Sequence, residues 1–201
     1  MDGDTATLAA AIGARVRSER KARRWTLDRL AETAGVSRRM VVNVERGAAN
    51  PSIGILLRLS DALGLGLPAL VEPPVPTAAL KITRAGEGAT LWNGDHGGSG
   101  ILLGGTEPPE VVELWDWRLE PGDQHSSEPH APGTMELLHV HEGTVTVVVA
   151  DETITLDPGD AVTFAGDAPH SYANHGAGAG RFSLAVFEPR VGSSPGPQGS
   201  G

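Results

Sequence analysis

Residues 26–47, TLDRLAETAGVSRRMVVNVERG, constrain this chain more than any other stretch. They read as two short helices around a tight turn. Thr26 can N-cap the first helix, with Asp28 in its first turn, where a carboxylate suits the positive helix end. Leu27, Leu30, Ala31 and Ala34 recur at helical spacing on one face. Gly35 supplies the bend and Ser37 caps the next helix. Along that helix Met40, Val41 and Val44 can face a core while Arg38, Arg39 and Asn43 face outward. A short helix with guanidinium and amide groups exposed at its N-terminal end fits the major groove of DNA.

The flanking sequence supplies the rest of a small helical domain. Residues 7–24 suit a first helix with a stripe of Leu8, Ile12 and Val16. After a loop at 48–51, Ser52 is expected to cap a fourth helix carrying Ile55, Leu56, Leu59 and Leu63, which Gly64 ends. Residues 67–71 suit a last helical turn. The proline-rich run 73–78 is a stiff, extended spacer. Beyond it come short β-rich runs at 80–84, 111–119, 135–150, 152–156, 160–165 and 181–188, with 93–100 reading as a loop. Short strands between frequent turn signals predict an antiparallel sandwich or barrel. The expected organisation is a helical domain at 8–72, a linker at 73–78, a β domain at 79–189 and a disordered tail at 190–201.

Charge divides along the same boundary. The net charge of −9 combines 11 Lys/Arg against 8 Asp/Glu in residues 1–72 with 5 against 17 thereafter. Ten of the eleven basic residues lie between Arg15 and Arg46. A charge run alone is usually a solvated face, but here it coincides with the two-helix pattern. Cysteine is absent, which excludes disulfides and thiolate metal sites. No apolar run approaches the ~20 residues of a membrane span, and the N-terminus lacks the basic start of a secretion signal. A cytoplasmic location is expected.

The first domain resembles the XRE family of lambda-repressor-like helix-turn-helix proteins. The resemblance rests on Leu30-Ala31, Ala34-Gly35-Val36-Ser37, Glu45-Arg46-Gly47, Asn50-Pro51 and Leu59 with Ala62-Leu63-Gly64. It implies that Glu45 pairs with Arg20 across the helices; a surface Glu45 beside Arg46 is the alternative. It also places Arg38, Arg39 and Asn43 at base edges. Ser37, Arg46, Arg23 and Arg24 would then hold phosphates. The alternative is that these arginines merely solubilise the helix.

The second domain resembles a cupin, through residues 121–143 and 156–174. Glu136, seven residues before Gly143, stands where that family has its glutamate ligand, and His170 matches its last histidine. The first motif departs from the usual pattern, offering His130 alone, followed by Ala131 and Pro132. The resemblance therefore implies a His130, Glu136, His170 set suited to one divalent ion, Fe, Zn or Mn. His125 is a candidate fourth ligand. The same groups would equally serve to hydrogen-bond an organic ligand without metal. Tyr172 and Trp117 are expected to line that pocket, whereas alternation turns His139 and His141 outward. Trp115 and Asp160 read as a core residue and a turn residue.

Together the two resemblances imply a transcription regulator that binds double-stranded DNA at a palindromic operator as a homodimer. Its cupin domain would sense a small-molecule effector or a metal. A cupin metalloenzyme of the non-haem iron type that retains a helix-turn-helix domain is the alternative.

Overall fold

The computed structural model describes residues 3–48, 51–71 and 80–192. Asn50, the spacer at 73–78, residue 79 at the expected start of the β domain and everything past 192 lie outside the described residues.

Among the described residues five helices come first: α1 (Gly3–Ala22), α2 (Leu27–Thr33), α3 (Arg38–Glu45), α4 (Ile53–Leu63) and α5 (Leu67–Val71). The Thr26 hydroxyl accepts from the Arg29 amide and the Ser37 hydroxyl from the Met40 amide, so both central helices start on side-chain caps. Gly35 turns the chain between them at φ +62°, a conformation that disfavours any residue with a Cβ. Ser52 stands at the N-cap of α4, but its side chain makes no cap hydrogen bond, contrary to expectation. Ile12, Val16, Leu30, Val41, Val44, Leu56, Leu59 and Leu63 meet in one buried core.

Ten strands follow among the described residues: β1 (Ala89–Asn93), β2 (Ser99–Gly105), β3 (Val111–Leu119), β4 (Gln124–Ser127), β5 (Met135–Glu142), β6 (Val145–Val149), β7 (Glu152–Leu156), β8 (Ala161–Ala165), β9 (His170–Ala173) and β10 (Gly180–Glu188). They form a six-stranded sheet, β1-β2-β3-β10-β5-β8, and a four-stranded sheet, β4-β9-β6-β7. All pairings are antiparallel. Alternation is clean on β3, where residues 111, 113, 115, 117 and 119 are buried and their neighbours look outward.

Two expectations for the β domain need correction. Residues 80–84 form no strand and are exposed: their alternation has no neighbouring strand to pair with. Conversely, β1 and β2 extend the large sheet at an edge where none was expected. Strand β2 begins at Ser99, so the expected 93–100 loop is shorter. Strand β2, with three glycines and a serine among its seven residues, has weak strand propensity, which its pairing with β3 on one side and β1 on the other offsets.

The helices seat directly on the β domain. A Cβ at Gly105 of β2 would come within 2.3 Å of Pro68 Cγ, so α5 approaches this strand as closely as only glycine allows. Arg58 of α4 pairs with Glu128 at 2.7 Å. The Gly192 amide donates to Asp61 of α4 at 3.2 Å, and Val191 is buried with its amide on the Pro109 carbonyl. Val191 and Gly192, assigned by sequence to the tail, are therefore tied to the body of the protein, while Arg190 is exposed.

Candidate functional site

Helix α3 presents its cationic end to solvent. Arg38 and Arg39 are exposed, and Asn43 is half-buried one turn further along. Arg38 lies 3.1 Å from Asp28 at the start of α2, with both side chains more than half exposed. Such a pair is screened and weak, so an incoming phosphate or base edge competes for it on favourable terms. Arg39 makes no ion pair or side-chain hydrogen bond among the described residues. Arg46, at the α3 C-cap, and Arg24, at φ +57°, are exposed on the same domain. Arg23 is placed otherwise: its guanidinium donates to Glu19 and to the Leu63 carbonyl at the end of α4. It would have to leave both partners to reach a phosphate.

Behind this surface Arg20 and Glu45 form a two-pronged pair. Nε and Nη2 of Arg20 donate to the two Glu45 oxygens at 2.5 and 2.9 Å, and Nη1 donates to the Trp25 carbonyl at 2.8 Å. The pair clamps α1 to α3 and sets how α3 projects.

In the β domain, His130, Glu136, His170, Tyr172 and Trp117 all border one inner cavity. Glu136 reaches it from β5, His170 and Tyr172 from β9, and His130 from the loop before β5. Nε2 of His130 and Nε2 of His170 each lie 3.1 Å from Glu136 Oε1. The three ligand atoms fall within 4.8 Å of one another, as metal binding requires. Neither short approach has hydrogen-bond alignment, which leaves Glu136 Oε1 and His170 Nε2 buried without a hydrogen-bond partner. The Ala168 carbonyl accepts from His170 Nδ1 at 2.8 Å, directing the Nε2 lone pair inward. Tyr172 donates to the other Glu136 oxygen. These residues fit a divalent ion, which when bound would supply Lewis acidity or an anchoring point for a ligand atom. Burial alone would raise the Glu136 carboxyl, but His130 and His170 outweigh it and hold it down to about 2.

Orphaned polar atoms concentrate at this place. Among the described residues five buried side-chain N or O atoms lack a hydrogen-bond partner; four of them, on Glu113, Trp117, Glu136 and His170, border the cavity. Buried polar groups are rarely left unpaired, so this clustering marks a cavity built to be filled.

A helix-turn-helix family model matches residues 16–70 and a cupin-domain model matches residues 115–187. The chain joins an XRE-type helix-turn-helix domain to a cupin domain. The HTH-type transcriptional regulator SutR of Escherichia coli (strain K12) is 27% identical over 183 residues, covering 91% of this chain and 98% of the relative. The immunity repressor protein of Bacillus phage phi105 is 38% identical over 60 residues, covering 30% of this chain and 42% of the relative. Among solved structures, an HTH_3 family transcriptional regulator from Vibrio cholerae shares the architecture. Its TM-score is 0.69 at 25% identity, covering 92% of this chain and 99% of that one.

Sequence reasoning missed two acids in the cupin domain. Glu113 is inward on β3 with the same parity as Trp115 and Trp117, a signal that was available; Trp115 Nε1 donates to its Oε2 at 2.9 Å. Glu188 is buried at the end of β10. Burial first, and then Glu188, holds Glu113 well above the usual carboxylate range, while burial pushes Glu188 up to about 7. His125 is not among the ligand atoms. Its ring packs 4.9 Å from Trp117 and 5.5 Å from Trp92. His139 and His141 are exposed on the outer face of β5, as alternation implies. Asp160 caps a turn by accepting from the Asp157 amide.

His125 yields a test of pH dependence. Burial first, then the neighbouring His170, lowers its imidazole to about 4, against about 6.5 when unfolded. Between those values the unfolded chain binds a proton that the folded chain refuses, so this histidine makes stability fall as pH falls from 6.5 to 4. Glu188 acts oppositely between 7 and 4.5, so the comparison must be with a variant. In chelator-treated protein, His125→Phe should lessen the loss between pH 6.5 and 4 by about 2 kcal/mol, allowing for partial exposure. Urea unfolding with parallel pH profiles for both proteins would refute this.

Proposed function

We propose that this protein is a cytoplasmic, one-component transcription regulator. The helix-turn-helix unit (8–72) binds a palindromic operator as part of a homodimer, and the cupin unit (79–189) senses a small molecule together with a divalent metal. The exposed, Ser37-capped start of α3 carries the DNA half of the proposal. Arg38, Arg39 and Asn43 have the donors that read guanine and adenine edges, and the Arg20–Glu45 clamp holds the helix that bears them. The four orphaned polar atoms around the cupin cavity carry the sensing half.

The outer face of the large sheet supports the dimer. Val112, Leu114, Met135 and Leu137 are exposed there. In register, Val112, Phe187 and Met135 form one row across β3, β10 and β5, and Leu114, Ala185 and Leu137 the next. A contiguous apolar patch of this kind marks an association surface.

Selection of bound duplexes from a random pool tests the whole. A two-fold symmetric sequence, with half-sites about one helical turn apart, is the expected result; recovery of no preferred sequence would sink the regulator reading. The His130, Glu136 and His170 set favours a second reading, a cupin metalloenzyme. His170→Ala separates the two. Loss of bound metal with altered effector response and no turnover anywhere supports the sensor, whereas loss of a measurable turnover with DNA binding intact supports the enzyme.

A further inference from the structure

We infer that the effector is a small amine-bearing cation, lodged where helix α4 closes over the cupin domain, with its ammonium group taken by Glu188 and Glu113. The inference deepens the sensor reading above and rests on it.

Two spaces adjoin at this junction. The inner cavity holding the His130, Glu136, His170 set has room of only about 30 Å³, enough for an ion and little more. Beside it lies a chamber of about 240 Å³ between α4 and the β domain. Leu57 and His130 border both. An organic ligand therefore fits the outer chamber and meets the inner site past those two side chains.

Charge decides what kind of ligand fits. The chamber is walled by Asp61, Glu128 and Glu188 against Arg58 and the imidazole of His130; Arg58 is already committed to Glu128 at 2.7 Å, and Asp61 accepts from the Gly192 amide at 3.2 Å. Glu188 is only 6% exposed, and its carboxyl has no hydrogen bond or ion pair among the described residues. Glu113, on the adjacent strand, is 1% exposed and keeps Oε1 without a partner. In register Glu188 opposes Val111 and Glu113 opposes Val186. The two acids are thus diagonal neighbours on one buried face. Two buried carboxyls side by side on one face resist ionising together, and an ammonium group set between them is the group that stabilises both charged forms. The indoles of Trp115 and Trp117 line the inner wall and add faces attractive to a cation.

Helix α4 contributes Leu57, Arg58 and Asp61 to the chamber and Leu56, Leu59 and Leu63 to the helical core. The occupant therefore touches a helix packed in the same core as α3. Any difference in its affinity for two settings of α4 appears as a difference in DNA affinity.

The test is calorimetric titration of the full-length protein, without DNA, with four probes: n-butylamine, n-butyltrimethylammonium (unable to ligate a metal), butan-1-ol and butyrate. Both cations should bind, one per chain, with the alcohol and the carboxylate weaker by roughly tenfold or more. Glu188→Gln and Glu113→Gln should each erase most of that preference, while Glu188→Asp, which keeps the charge, retains it. Equal binding of butyrate, no binding by either cation, or an unchanged preference in both Gln variants would overturn the inference. A chain that selects a palindromic operator yet ignores both amines sinks this inference alone. A chain that binds the amines but selects no DNA sinks the regulator reading instead.

Discussion

Glu45→Ala should destabilise the helical domain by about 3–5 kcal/mol, the range found when one member of a buried ion pair is removed. The side chains of Arg20 and Glu45 are only 11% and 8% exposed. Without Glu45 the Arg20 guanidinium keeps the Trp25 carbonyl as partner but loses both carboxylate bonds and stays shielded from water. Against a typical domain stability of roughly 5–15 kcal/mol, that loss brings the domain near its unfolding limit at growth temperature. Arg20→Lys should also be poorly tolerated, because one ammonium cannot reproduce the fork that reaches both oxygens and the carbonyl. The double replacement Arg20→Met, Glu45→Leu leaves no stranded charge and should recover much of the loss. Urea unfolding of the three variants measures this, and a cost below about 1 kcal/mol for Glu45→Ala would show the pair to be energetically idle.

The second large effect concerns recognition rather than folding. Arg38→Ala and Arg39→Ala should each cost about 1–3 kcal/mol on the selected operator and relax preference at one base position. Removing both should bring operator affinity close to that for random duplex. Arg38 must first give up Asp28, a loss that exposure keeps small. Arg46→Ala serves as the contrast: it should weaken all sequences alike and reduce the slope of affinity against salt by about one. Competition binding at several salt concentrations separates these patterns. If Arg39→Ala lost cognate and random DNA equally, Arg39 would hold phosphate rather than read bases.

Much of this was legible without coordinates, and the reason is local. The capping hydroxyls of Thr26 and Ser37 act within their own first turns, and Gly35 meets a φ demand of its own backbone. Strand parity is equally local, so the inward placing of Glu136, Trp115 and Trp117 and the outward placing of His139 and His141 follow from alternation. Where local signals are weak, reading failed: β2 carries Gly and Ser where strands prefer branched residues, β1 is only five residues long, and 80–84 alternates with nothing beside it.

What the residues determined by themselves is therefore which groups start each helix and which side of each strand they occupy. Tertiary structure alone decided which faces oppose one another. It set Glu113 and Glu188 diagonally across neighbouring strands, turned Arg23 onto the end of α4, and laid α4 over the mouth of the cupin cavity. Periodicity records the direction of a side chain but not the distant segment that meets it. That meeting depends on register and on the packing of elements far apart in the chain.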